Sequence, residues 1–153
     1  MDFNVVKADE KYINDCKMAL QNSDLGRVYF SNEDKAIQAI IEGISKKEIL
    51  VAINNEGVCL GFIWYILGGV FHSFPYLHII AIKEEFRNLG IGRKLLDYFE
   101  QVISNGCSKV FLVVADFNPK AKHLYKSIGY KEVGIIPNLY KNGVTEYLMM
   151  KEI

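Results

Sequence analysis

Between Tyr76 and Ile103 the apolar residues change their period. "YLHIIAI", from Tyr76 to Ile82, is a short apolar run of the kind that forms a buried strand. Further on, Ile91, Leu95, Phe99 and Val102, with Leu96 and Ile103 beside them, recur at helical spacing and form one face of an amphipathic helix. Gly90 and Gly92 stand where that helix begins, although glycine is costly inside a helix. A strand that feeds a glycine-containing loop and then a helix restricts the chain to architectures mixing both elements. It also creates a local anion site, because unpaired N–H groups at a helix start point outward and the macrodipole favours negative charge there. Arg87 and Arg93 add charge and donors to the same loop, "EEFRNLGIGRKLL". On spacing alone, a helix-start loop with solvated arginines fits equally well.

The rest of the chain supplies the partners such a unit needs. "FNVVKA" reads as a first strand, followed by a helix from Asp9 to about Leu20 and a loop, "QNSDLGRVYFSN". A second helix runs from about Glu33 to Ser45. "EILVAI", the turn "NNEG" and "VCLGFIWYIL" make a hairpin, which Gly68-Gly69 weakens or bulges at its end. "FHSFPY" turns the chain into "YLHIIAI". After the amphipathic helix, "KVFLVVA" is a nearly continuous apolar strand of the kind covered on both faces. "NPKAKHLYKSIGY" is a helix with Pro119 near its first turn and Gly129 at its stop. "YKEVGIIPNLYKNGVTEYLMMKE" closes the chain as a hairpin whose Asn142-Gly143 suits a two-residue turn. With no linker or repeat in 153 residues, the expectation is one domain over 1–153. Its class is α/β of the α+β type, with a mixed, mostly antiparallel central sheet flanked by helices.

Charge and composition narrow the partners. A formal net charge of zero offers no general attraction to nucleic acid or an anionic membrane. The start has no basic segment followed by an apolar one, so no signal peptide is expected. The longest apolar run, Cys59 to Phe71, is too short to span a bilayer as a helix. Cys16, Cys59 and Cys107 are odd in number and far apart, matching neither a metal spacing nor a disulfide framework. A cytoplasmic protein with reduced thiols and no metal is the expectation.

Two phosphate motifs do not fit the glycine loop. Nothing matches the P-loop pattern G-x-x-x-x-G-K-S/T. A dinucleotide fingerprint requires a third glycine where Leu95 stands, and belongs after the first strand of a parallel sheet. What remains is R-x-x-G-x-G, "RNLGIG", after a strand and before an amphipathic helix. In this the sequence resembles the GNAT superfamily of N-acetyltransferases. "NPKAKHLYKSIGY" is similar to a second segment of that family, N-x-x-A-x-x-L-Y-x-x-x-G-F/Y, with matches at Asn118, Ala121, Leu124, Tyr125, Gly129 and Tyr130. The two motifs and the element order cover nearly the whole chain.

The resemblance implies acetyl-CoA as acyl-donor substrate. It implies that the backbone of Ile80, Ala81 and Ile82 pairs with the pantetheine arm, the Ile80 N–H facing the thioester carbonyl. The loop of Arg87, Asn88, Leu89, Gly90, Ile91, Gly92 and Arg93 would receive the pyrophosphate. Asn118 would contact the cofactor arm, and Tyr125 would protonate the departing thiolate. Each has a plain alternative: Asn118 before Pro119 is a good helix cap, and Tyr125 shares a face with Ala121, Leu124 and Ile128 and could be core packing.

His78 lies on the cofactor strand, where a lone histidine is usually structural. "YLHIIAI" is, however, similar to the strand of arylalkylamine N-acetyltransferases that carries a His-Leu-His pair. His78 matches the second histidine and Tyr76 replaces the first, which makes His78 a candidate water-mediated base. His72 and His123 read as loop and exposed helix positions. Bacterial acetyltransferases of ribosomal-protein N-termini carry a glutamate five residues before the matching asparagine; here Val113 takes that place, which counts against that substrate. Three readings follow: a small-amine N-acetyltransferase acting in a ternary complex, a peptide or protein N-acetyltransferase, and a non-catalytic acyl-CoA-binding module. Each is compatible with a monomer or a homodimer.

Overall fold

Strand β4, Phe74–Ile82, shows why the rest of the fold is built as it is. Its residues alternate, Leu77, Ile79 and Ala81 buried, Tyr76, His78, Ile80 and Ile82 half-buried. One row is therefore core and the other is left partly open. The computed structural model describes residues 1–153. They form a seven-stranded mixed sheet in the order β1-β2-β3-β4-β5-β7-β6. The chain divides into two compact units, residues 1–65 with 79–102 and residues 66–78 with 103–153. Strands β3 (Cys59–Val70) and β4 each begin in one and end in the other.

In the first unit, β1 (Phe3–Lys7), β2 (Ile49–Asn54) and β3 pair antiparallel. Helix α1, Ile13–Gln21, follows a 3₁₀ turn over Glu10–Tyr12 whose cap is Asp9, so the helix starts later than its apolar pattern suggests. The stretch expected to be a loop contains a short helix, α2, Asp24–Tyr29. Ser23 caps it by accepting from the Gly26 N–H at 2.9 Å. Two turns are too few for a period to be visible in sequence, and the cap alone was the signal. Helix α3, Glu33–Ser45, is capped by Asn32 and tied to α1 by the Lys17–Glu33 ion pair at 2.7 Å. Helix α4, Ile91–Ile103, buries Ile91, Leu95, Leu96, Phe99 and Ile103 as its pattern requires. Val102, in the last turn, is 46% exposed instead.

In the second unit, β5 (Lys109–Ala115) pairs antiparallel with β7 (Thr145–Glu152), and β7 with β6 (Lys131–Pro137). Within this unit β4 meets β5 in parallel, Tyr76 opposite Phe111. Strand β3 runs through Gly68-Gly69 to Val70, and β4 already begins at Phe74. The reversal is therefore tighter than "FHSFPY", with Phe71 and His72 both at positive φ. The terminal hairpin also departs from a two-residue turn. Asn142-Gly143 is the centre of a turn closed by the Val144 N–H on the Lys141 carbonyl, but that turn sits inside a longer connection, 138–144. Asn138 opens the connection at φ +58 and accepts from the Gly143 N–H at 2.7 Å. Helix α5, Pro119–Ser127, completes the unit.

Candidate functional site

The glycine loop is shaped by two different constraints. Asn88 has φ +62 and Gly90 φ +79, with Leu89 between them on the ordinary side. Such alternation turns successive N–H groups toward one side, the geometry of an anion nest. Gly90 then caps α4: the first helical bond is the Lys94 N–H on the Gly90 carbonyl at 3.2 Å. The N–H groups of Ile91, Gly92 and Arg93 precede that bond and have no acceptor within the helix. Gly92 differs: no strain requires glycine there, and its lack of a side chain leaves space open. A Cβ there would lie 3.8 Å from Ile82 and 3.9 Å from Ile80, so the bare backbone of the first helical turn faces the half-open row of β4. The residues fit a pyrophosphate: charge-free donors, a nest, and a space that a side chain would fill.

Arg87 does something the sequence did not announce. Its Nε donates to the Ile82 carbonyl at 3.1 Å and its guanidinium donates to the Asn22 carbonyl at 2.8 Å. The side chain thus braces the loop against the end of β4 and the residue that follows α1. Arg93 is exposed and stands at the helix start with its charge toward solvent. Nearby, Lys83 pairs with Asp15 of α1.

The second unit holds a separate group of polar side chains. Tyr125, on α5, is 9% exposed and packs edge-on against Tyr130 at 5.7 Å. Burial pushes its phenol up to about 12, so its proton is in place at neutral pH. Leu124 beside it is 40% exposed, so the buried stripe of α5 is narrower than its pattern. Asn118 caps α5 by accepting from the Ala121 N–H at 3.3 Å, which leaves its amide N–H₂ to donate elsewhere. His78 packs against Tyr76 with tilted rings at 5.6 Å, and burial lowers its pKa from the usual histidine value. His72 and His123 are exposed, as their positions implied.

Tyr76 is the hub of this group. Its hydroxyl meets that of Tyr140, in the 138–144 connection, at 2.9 Å. Its phenol is held protonated far above the normal range, first by burial, then by Tyr140, Glu146 and Tyr125. Glu146, on β7, is 2% exposed. Register places it opposite Ala115 of β5 and Ile136 of β6. Cross-strand partners share a face, so Glu146 lies on the face that carries Val113, Phe111 and Tyr76. Neither the Tyr76–Tyr140 contact nor the burial of Glu146 was legible in the sequence. The Tyr76–Tyr140 contact joins residues 64 apart in the chain. The available signal was alternation: Glu146 occupies the same row as Leu148 and Met150, a charge where an apolar residue is expected.

No helix is long and apolar enough to cross a membrane, and no group of three or more His, Cys, Asp or Glu residues could hold a metal ion. Comparison with known proteins points to the same family as the sequence does. An uncharacterised N-acetyltransferase of Methanocaldococcus jannaschii is 33% identical over 90 residues, 58% of each chain. The thialysine N-ε-acetyltransferase of Sus scrofa is 41% identical over 91 residues, 56% of this chain and 54% of the relative. The chain thus spans little more than half the length of these curated relatives. Among solved structures, Ard1 from Thermoplasma volcanium superposes with a TM-score of 0.83 over 100% of this chain and 99% of that one, at 21% identity, and shares its fold. The profile of the acetyltransferase (GNAT) family matches residues 18–130, so this chain belongs to that family.

Proposed function

We propose that this chain is an acetyl-CoA-dependent N-acetyltransferase, residues 1–153 forming one catalytic domain, and that its acceptor is a small amine. The observation that carries the reading is the nest and bare helix start at Asn88–Arg93, directly after the half-open row of β4. Bound acetyl-CoA supplies a thioester carbonyl activated toward an amine. The N–H groups of Gly90, Ile91, Gly92 and Arg93 hold the pyrophosphate, and Arg87 keeps the loop in shape through the Ile82 and Asn22 carbonyls. Backbone groups of Ile80, Ala81 and Ile82 align the pantetheine arm, and the Ile80 N–H serves as donor to the carbonyl oxygen, where negative charge develops. The Asn118 amide donates to the arm while its oxygen stays on α5.

Proton traffic falls to the second unit. Tyr125 keeps its proton at neutral pH and gives it to the departing sulfur. His78, neutral because it is buried, takes a proton from the acceptor through water. Val113, in place of a carboxylate, supports a small amine over a ribosomal-protein terminus, while the similar proteins include both a thialysine N-ε-acetyltransferase and N-α-acetyltransferases. Buried thiols at Cys16 and Cys59, the latter pushed up to about 11 by burial, are inert and suit a cytoplasmic protein.

Thermal-shift scans test the donor: CoA and acetyl-CoA raise the melting temperature by linkage, whereas NAD and ATP do not. Turnover of acetyl-CoA with an amine panel tests the chemistry. A protein stabilised by CoA that acetylates no amine or peptide is the binding module instead.

A further inference from the structure

Asn88 stands at φ +62, and a residue other than glycine keeps such a conformation only where its surroundings over-determine it. The far end of its loop is fixed by α4, whose first residue, Ile91, is buried. The near end is fixed by two long side chains that leave the loop for α1. Lys83 keeps its N–H on the Leu60 carbonyl of β3 at 2.9 Å. Its side chain, 11% exposed, turns onto the Asp15 carboxylate. Arg87, on the other side of the 3₁₀ turn Glu84–Phe86, reaches the Asn22 carbonyl at 2.8 Å. Asp15 and Asn22 are two helical turns apart, so the two ties are spaced by roughly 10 Å along α1.

Helix α1 is a firm support for both. Cys16, Ala19 and Leu20 are fully buried, and Lys17 pairs with Glu33 of α3 at 2.7 Å. The corner that follows is set as closely. Ser23 Oγ donates to the Leu20 carbonyl at 2.6 Å and accepts from the Gly26 N–H at 2.9 Å. A Cβ on Gly26 would stand 1.6 Å from that same carbonyl oxygen, so α2 can turn this tightly only on a glycine. The Asn22 carbonyl, between these contacts, meets Arg87 from a fixed place.

We propose that Asp15 and Lys83 are positioning residues for the donor: through their ion pair, and beside the Arg87–Asn22 tie, α1 sets the direction of the loop N–H groups that hold the pyrophosphate. Neither side chain touches CoA on this account. The proposal rests on the acetyl-CoA reading, and the experiment separates the two. Calorimetry compares CoA, dephospho-CoA and pantetheine on the wild type, Lys83→Met and Asp15→Ala. Each variant should weaken CoA and dephospho-CoA by roughly three- to thirtyfold, the span of couplings carried by side chains that touch neither site's ligand. Pantetheine, which has no pyrophosphate, should bind all three proteins alike. In turnover the loss should fall on KM for acetyl-CoA rather than on kcat.

The sign at Asp15 separates positioning from plain electrostatics. By charge alone, loss of the Lys83 cation would weaken an anionic ligand and loss of the Asp15 anion would tighten it. Weaker CoA in both variants supports positioning. Opposite signs overturn it. Should Asp15→Ala fail to fold, Asp15→Asn replaces it, with weaker CoA again expected. CoA that fails to bind the wild type removes the donor reading and this inference with it. CoA that binds the wild type and both folded variants alike removes this inference alone.

Discussion

The loop at Arg87–Arg93 and the group around Tyr76 are made in opposite ways. The loop is contiguous in sequence and offers backbone N–H groups, placed by two positive-φ residues and a helix start. The group around Tyr76 offers side chains from β4, α5, β7 and the 138–144 connection, brought together by sheet register. A backbone site is sensitive to an added Cβ or a changed φ and tolerant of side-chain identity. A side-chain site is sensitive to the loss of one hydroxyl or carboxylate and tolerant of small changes in its backbone. Substitutions can therefore be chosen to break one region and leave the other intact.

The largest effect is expected at Tyr125. Tyr125→Phe removes one hydroxyl from a ring that stays buried against Tyr130. Turnover should fall by about 10²-fold or more, the range of a positioned general acid, while the Kd for CoA changes little. Steady-state kinetics paired with calorimetry makes the comparison. An unchanged kcat in a folded variant returns Tyr125 to core packing.

Gly92→Val attacks the other region. The new side chain enters the space that faces Ile80 and Ile82. Loss of charge-assisted N–H contacts to the pyrophosphate should weaken CoA by about 10- to 100-fold. Dephospho-CoA, which keeps the pyrophosphate, should lose as much, and pantetheine should be nearly unaffected. Equal losses for pantetheine and CoA would falsify the assignment of this loop to the pyrophosphate.

A finer contrast lies within the loop. Gly90→Ala forces a side chain into φ +79, with no atom within 4 Å to clash. Its cost is conformational, about 1–2 kcal/mol of stability. Gly92→Ala meets only ordinary contacts and should leave the melting temperature nearly unchanged while still weakening CoA. Denaturation of the two alanine variants, with and without CoA, should show them exchanging order. If both lose the same stability, the two glycines serve one purpose.

The same contrast explains what could be read in the sequence. β4, α4 and β5 were legible because each is a long apolar pattern, and α5 because Pro119 and Gly129 mark its ends. The loop was legible because its donors and its glycines are neighbours in the chain. α2 was not, since Asp24–Tyr29 is too short to show a period and Ser23 is a common residue. Arg87 was visible as a charge but not as a brace, because its acceptors are the backbone carbonyls of Ile82 and Asn22, which any residue carries. The burial of Glu146 follows from strand register and the Tyr76–Tyr140 contact joins residues far apart in the chain, so neither was read. Sequence reading finds backbone sites and underestimates side-chain sites assembled at long range.

The smallest expected effect concerns His78 and tests whether the side-chain region carries the proton. Burial is the cause of its lowered pKa, and the ring packs at a tilt against Tyr76. An unfolded histidine titrates near about 6.5, so between its folded pKa and that value the unfolded chain binds more protons. His78 therefore contributes stability above about pH 6.5 that is lost as pH falls below it, with a slope of at most about 1.4 kcal/mol per pH unit. Melting temperatures from pH 7 to pH 5 should decline less steeply in His78→Gln than in the wild type. The activity profile moves the same way: the ascending limb of kcat/KM should lie below pH 6.5, because the neutral ring is the competent form. His78→Gln should lower the plateau and remove that limb, leaving activity to rise only as the free amine deprotonates. A variant that flattens the stability profile but keeps the wild-type limb and plateau shows a buried histidine that only packs. The proton would then leave through ordered water or the Tyr76 hydroxyl.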